Sequence, residues 1–147
     1  DLTYADFRYV VGSGRDQHTY LCSVVVIPLG CLTPEVQVSP RNPIRALVEK
    51  LEGDEIAFES DAFNHRFLVT AADRRFAFEL LDPRMIQAIL DLNDDIHIDA
   101  GPTQLVVYGF PVCRPELLGQ FLSEAVSIRQ HVPALVLHDY ARPPAPQ

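Results

Sequence analysis

The chain has 147 residues, a length that fits one domain, and its 48% hydrophobic and 22% charged residues exclude disorder for most of it. Its net charge of -8 and the scatter of its basic residues argue against nucleic acid as a partner, because phosphate binding needs clustered Lys and Arg. The longest apolar stretch, residues 24–32, is broken by Pro28 and Gly30 and is shorter than the roughly 20 residues of a membrane-spanning helix.

The first forty residues have the composition of β-strands. Aromatic and β-branched residues dominate the first thirty, and a Gly-Ser-Gly turn at residues 12–14 divides them, which predicts a hairpin with a second arm over residues 19–27. A strand rather than a helix follows this turn, so it does not form a dinucleotide-binding loop. Val36 and Val38 alternate with polar residues and predict a short further strand over residues 35–39.

The next segment mixes one helix with two strands. Asn42 followed by Pro43 is a good helix start, and an apolar stripe predicts a helix over residues 42–51 that ends at Gly53. Residues 55–59 and 66–71 have the composition of strands. A capped turn over residues 60–64 is expected between them.

The second half of the chain contains three further helices. Asp73 and the pair Asp82–Pro83 predict two short helices that meet at Asp82, because the proline would break a single straight one. Residues 94–101 and 104–110 predict a hairpin with a turn at Gly101. The longest helix is expected over residues 115–131, and residues 134–137 form a possible last strand.

These elements indicate an α+β fold with a mostly antiparallel sheet and about four helices packed largely on one face. A doubly wound sheet would need regular βαβ alternation, which the first forty residues lack. Residues 1–140 form the predicted single domain, and residues 141–147 a Pro-rich tail or linker. Because the chain opens at Asp1 and not at Met, we expect a fragment or processed chain that is truncated at its N-terminus.

Two groups of residues have side-chain types that occur in catalytic or metal sites. Asp95, His97 and Asp99 share one face of a predicted strand and could bind a metal, but a solvated face opposite buried isoleucines is the favoured interpretation. Ser60, Asp61 and His65 have the residue types of a triad, and a cap at Ser60 is favoured because sequence neighbours rarely form one. The sequence therefore predicts no catalytic residue, metal ligand or cofactor.

The arginines Arg66, Arg74 and Arg75 are the candidates for binding a ligand. They cluster near Glu59 and Asp73 and could hold an anion, although such charges more often form surface pairs worth under about 1 kcal/mol each. The three cysteines Cys22, Cys31 and Cys113 lack the spacing of a zinc site. Reduced thiols are favoured over a Cys22–Cys113 disulfide.

Residues 58–85 also carry a longer motif. It consists of Glu59-Ser60 with Phe63-Asn64, Phe67 and Val69, then Asp73 and Ala77, then a Leu-Leu-Asp-Pro-Arg-Met run over residues 80–85. This pattern resembles a family of uncharacterised bacterial proteins that is common in high-GC Gram-positive bacteria and is often described as membrane proteins. The resemblance implies a soluble domain attached to a bacterial membrane through segments outside this chain, and it does not assign the side of the membrane. The cytoplasmic side is slightly favoured. It implies no activity.

Three functions are compatible with these observations. The first is a non-enzymatic binding domain of a membrane-associated bacterial protein, which would bind a protein partner or a second copy of itself. The second is a pocket for a small ligand or lipid between the sheet and the helix over residues 115–131. The third is a hydrolase or metal enzyme that uses Asp95, His97 or Ser60.

Overall fold

The computed structural model describes residues 1–41, 54–92 and 96–141. Six strands form one antiparallel sheet in the order β1-β2-β6-β5-β3-β4. The strands are β1 (Thr3–Val11), β2 (His18–Pro28), β3 (Val36–Pro40), β4 (Phe67–Ala71), β5 (Ile96–Ala100) and β6 (Gln104–Gly109). The predicted α+β class and the antiparallel sheet are confirmed.

Five α-helices lie in the described ranges, where the sequence predicts about four for the whole chain. They are α1 (Asp61–Arg66), α2 (Arg74–Leu80), α3 (Pro83–Leu90), α4 (Leu118–Gln130) and α5 (Ala134–Asp139), and short 3-10 turns cover Gly14–Asp16 and Pro115–Leu117. Asp73 and Asp82 cap α2 and α3 as predicted, since their carboxylates accept the N–H groups of Phe76 and Met85. None of the described helices is long and apolar enough to cross a membrane.

The hydrophobic core lies between the helices and one face of the sheet. Because side chains alternate along each strand, one set of residues from all the central strands points the same way. We call this side the helical face; its buried residues include Val25, Val38, Val69, Ile98 and Val107, and Phe121, Ala125 and Ile128 of α4 belong to the same buried cluster. Burial of this face explains the period-two pattern that predicts these strands.

Two predicted strands are wrong. Residues 55–59 make only an isolated bridge between Glu55 and Thr70, because the backbone N–H and C=O of Phe58 bond to the side chain of Asn64 and are unavailable to a neighbouring strand. Residues 134–137 belong to α5 and not to a strand; Pro133 precedes the helix and Val136 is its buried residue.

Other predicted elements need smaller corrections or fall outside the described part of the chain. The expected turn over residues 60–64 is the start of α1, with Ser60 as its N-cap. The predicted helix over residues 42–51 and all but one residue of the Pro-rich tail lie outside the described ranges. Gly101 occupies the β5–β6 turn with φ 99°, and a Cβ there would collide with the carbonyl of Pro34, so the position requires glycine.

Candidate functional site

Strand β1 forms one edge of the sheet. It pairs with β2 along all nine of its residues, from Thr3 opposite Val26 to Val11 opposite His18, and no other described strand pairs with its outer side. The register is continuous and therefore contains no bulge. The strand also lacks proline and lysine, which natural proteins use to block pairing at an exposed edge.

The outer half of this hairpin extends beyond the rest of the sheet. Pairing of β2 with β6 begins at Ser23 opposite Gly109, so among the described strands residues 18–22 pair only with residues 7–11 of β1. We call these ten residues the edge ribbon. Three of its large apolar side chains are exposed: Phe7 to 54%, Leu21 to 51% and Val10 to 41%. The ribbon thus combines unpaired backbone groups with apolar side chains in solvent.

The base of the edge ribbon is fixed by a polar network. Tyr4 Oη and Ser23 Oγ both donate to Asp6 Oδ1, at 2.6 and 2.7 Å, and Ser23 Oγ accepts the N–H of Cys113 at 2.7 Å. The hydrogen bonds from Tyr4 and Ser23 lower the pKa of Asp6. Asp6 therefore carries a fixed negative charge, two residues from the exposed Arg8 on the same face of β1.

The second face of the sheet is polar at its centre. Seven polar residues of β3, β4, β5 and β6 point away from the helical face, and we call this set the polar face: Gln37, Ser39, Thr70, His97, Asp99, Gln104 and Tyr108. His97 lies opposite Tyr108, and Asp99 lies between Gln37 and Val106. His97 and Asp99 thus share one face, as their spacing predicts, whereas Asp95 lies outside the described residues.

Burial governs the ionisation of the two titratable groups on the polar face. His97 is only 3% exposed, and desolvation lowers its pKa from 6.5 to about 4. Desolvation and the charge of Glu35 raise the pKa of Asp99 from 3.8 to about 6, against the hydrogen bond from Tyr108. Near neutral pH His97 is therefore an uncharged imidazole, and Asp99 takes up a proton under mildly acidic conditions.

Two hydroxyl groups of the polar face are buried and lack a hydrogen-bond partner among the described residues. Ser39 is 4% exposed and Thr70 is 5% exposed, and within the described ranges neither hydroxyl oxygen has a hydrogen-bond partner. Such groups cost free energy when buried unless they are paired.

A cavity of about 520 Å³ lies between the sheet and the start of α4. Its lining includes Ser23, Ile96, Phe110, Cys113, Phe121 and Glu124. This is the region between the sheet and the helix over residues 115–131 that the sequence indicates for a small-ligand pocket. Burial raises the pKa of the Cys113 thiol, so the cysteine is a weak nucleophile at neutral pH.

The three candidate ligand-binding arginines each make an intramolecular contact. Arg66 donates from Nη1 to the carbonyl of Leu90 at 2.7 Å and from Nη2 to that of Leu92 at 3.2 Å. Arg74 lies over the ring of Phe78, and Arg75 pairs with Glu79 at 2.9 Å. These contacts give Arg66 a structural role, and anion binding by the three residues stays a prediction.

Among the remaining candidates, Ser60 has a structural role. Ser60 Oγ accepts the N–H of Phe63 at 3.2 Å, which confirms the favoured interpretation as a helix cap. Across residues 1–41, 54–92 and 96–141, no three His, Cys, Asp or Glu side chains converge to hold a metal. All three cysteines lie in these ranges, and they are thiols there.

Sequence reasoning missed the edge ribbon. The strand pattern of residues 3–11 is visible in the sequence, but its edge position depends on strand order, which local periodicity does not encode. Phe7 within that pattern indicates a binding surface only once β1 is known to be an edge strand.

Comparison with known proteins identifies no relative. No protein-family model matches the chain, and comparisons with curated proteins and with solved structures also give no match. Membership in the bacterial family that the residue 58–85 motif resembles therefore stays a prediction.

Proposed function

We propose that this domain is a non-enzymatic protein-binding module that takes up an extended segment of a partner along the outer edge of β1. The observation that carries the proposal is the nine-residue edge strand, which is regular along its whole length and has no proline, lysine or bulge. Strand addition of this kind gains affinity from main-chain hydrogen bonds and specificity from alternate side chains.

The edge ribbon supplies the side-chain part of such an interface. Phe7 of β1 and Leu21 of β2 are large apolar side chains that are more than half exposed. Aromatic residues at the centre of an interface commonly carry much of its binding energy. The net charge of -8 supports a protein partner over nucleic acid.

Attachment to a bacterial membrane is the finer part of the proposal. It rests on the resemblance of residues 58–85 alone, and the attachment would be made by segments outside this chain. Upstream and downstream sequence of the full protein would test it directly.

The test of strand addition is a peptide selection. Displayed extended peptides would be selected on the wild-type domain, and bound peptides would be mapped by backbone amide chemical shifts. We expect shift changes confined to β1 and the edge ribbon, and no binding to a Phe7→Lys variant. Peptides that bind elsewhere, or a library that yields none, would remove the proposal.

A second candidate is a small-ligand site in the cavity beside α4. The cavity combines apolar residues with the polar side chains of Ser23, Cys113, Arg114, Gln120 and Glu124, and its volume suits a small organic molecule. Screening small apolar fragments by chemical shift would test this function. Shifts centred on Phe121 and Cys113 would support it, and their absence across the library would exclude it.

A further inference from the structure

The edge of β1 is complementary to itself. In an antiparallel pair, two residues that face each other lie on the same side of the sheet. A twofold axis that relates the two strands must therefore lie between the two copies of one residue, which face each other. If that residue is Phe7, Asp6 of one copy faces Arg8 of the other, and each opposite-charge contact occurs twice. The facing pair Tyr4 and Val10 extends the same register.

We infer that the partner strand is β1 of a second copy, paired antiparallel about Phe7 so that two sheets join into one continuous sheet. This inference rests on the proposed function, because it names the occupant of the same edge. It makes the interface isologous, which is the usual arrangement of homodimers.

Charge selects this register over its neighbours. Moving the axis to Asp6 places two carboxylates opposite each other, and moving it to Arg8 does the same with two guanidinium groups. Directly opposed like charges destabilise strand pairs, whereas opposed unlike charges stabilise them. Asp6 and Arg8 are both exposed, and Tyr4 and Ser23 hold the Asp6 carboxylate in place.

Phe7 is the centre of the inferred contact. Its side chain is 54% exposed in the single copy and would face the same ring of the second copy. Aromatic cross-strand pairs are among the stabilising ones in sheets. Pairing would also satisfy the outward N–H and C=O groups of β1 with protein partners.

The experiment is sedimentation equilibrium of the purified domain over a wide concentration range, with two matched pairs of variants. Phe7→Lys places two lysines on the axis, and its control is Leu32→Lys, which adds the same charge at a similarly exposed position outside β1 and β2. Arg8→Glu opposes two acidic residues, and its control is Arg15→Glu in the exposed turn. Thermal unfolding by circular dichroism confirms that each variant is folded.

We expect a wild-type dimer, a dissociation constant raised about tenfold or more by Phe7→Lys and by Arg8→Glu, and no change from either control. A wild-type monomer at every concentration would overturn the inference, and so would equal weakening by Leu32→Lys. Failure here is distinguishable from failure of the proposed function: a monomer that still binds selected peptides along β1 retains strand addition and loses only the second copy as partner.

Discussion

The imidazole of His97 lies flat against the phenol ring of Tyr108, with ring centroids 4.7 Å apart and an interplanar angle of 12°. Phe110 meets the same imidazole edge-on, with its centroid 5.7 Å away. These rings pack around a buried imidazole, and the loss of water on burial disfavours its charged form. The stability of the domain should therefore depend on pH through residues of the polar face.

His97 lowers the stability of the folded state at acidic pH. Burial lowers the pKa of His97 in the folded state to about 4, whereas the unfolded chain has the ordinary 6.5. As pH falls from 6.5 to about 4 the unfolded state binds the proton first, so the free energy of unfolding falls, by about 3 kcal/mol in total. The variant His97→Phe keeps a ring and removes this loss; urea unfolding at a series of pH values measures it. An unchanged pH dependence would contradict the assignment.

Asp99 has the opposite effect on the free energy of unfolding over nearly the same pH range. Its pKa is raised from 3.8 to about 6 in the folded state, so protonation favours folding and stability is gained as pH falls from about 6 to 3.8. We expect Asp99→Asn to stabilise the domain at neutral pH by roughly 1–3 kcal/mol, with the gain vanishing near pH 4. The exposed Asp16→Asn serves as control. A gain that is equal at both pH values would contradict the prediction.

His97 and Asp99 change the free energy of unfolding with pH in opposite directions, and the same urea titrations therefore provide a further test. Between about pH 4 and 6 the contributions of His97 and Asp99 offset each other in the wild type. Removing one of them should therefore leave the pH dependence of the other. In that window stability should fall with rising pH in His97→Phe and rise with pH in Asp99→Asn. Parallel curves for the two variants would show that neither group governs the pH dependence.

Arg66 should stabilise the packing of α1 on α3. Its guanidinium donates to the Leu90 and Leu92 carbonyls, and Arg66→Gln removes both charge-assisted bonds. We expect a loss of about 2 kcal/mol in the free energy of unfolding, measured by urea titration. Arg75→Gln is the matched control; its side chain is 87% exposed and its pair with Glu79 is worth less than about 0.5 kcal/mol. Equal effects of the two substitutions would contradict a structural role for Arg66.

Asn64 holds the segment that precedes α1. Its Oδ1 accepts the N–H of Phe58 at 2.9 Å and its Nδ2 donates to the carbonyl of Phe58 at 2.6 Å. Asn64→Ala leaves both backbone groups beside a buried ring without these partners, and should cost about 2–3 kcal/mol. Gln87→Ala, which removes an exposed bond to Asp91, should change stability by less than about 0.5 kcal/mol. A small effect at Asn64 would show that water replaces its bonds.

The sequence predicts the local structure of this domain better than its tertiary arrangement. The caps at Ser60, Asp73 and Asp82 could be predicted because a cap depends on residues within one helical turn. The strand predicted over residues 55–59 failed because a side chain six residues away, Asn64, takes the backbone groups of Phe58. That competition depends on tertiary position.

For the candidate sites, too, the sequence predicts local features but not those that depend on tertiary structure. The period of a strand is enough to place His97 and Asp99 on one face, but not to say that this face is buried, since burial depends on what packs against it. The edge position of β1 depends on strand order, which is set by the packing of the whole chain. Arg66 looked like a surface cation in sequence because the carbonyls it binds lie more than twenty residues away.

Amide hydrogen exchange along β1 is the measurement that tests the binding edge most directly. Alternate amides of β1 bond to β2, and the others point outward from the sheet. In dilute protein the outward amides should exchange rapidly and the inward ones slowly. On raising the concentration, or on adding a selected peptide, the outward amides should become protected while the rest of the sheet stays unchanged. Outward amides that remain rapidly exchanging under both conditions would contradict strand addition at this edge.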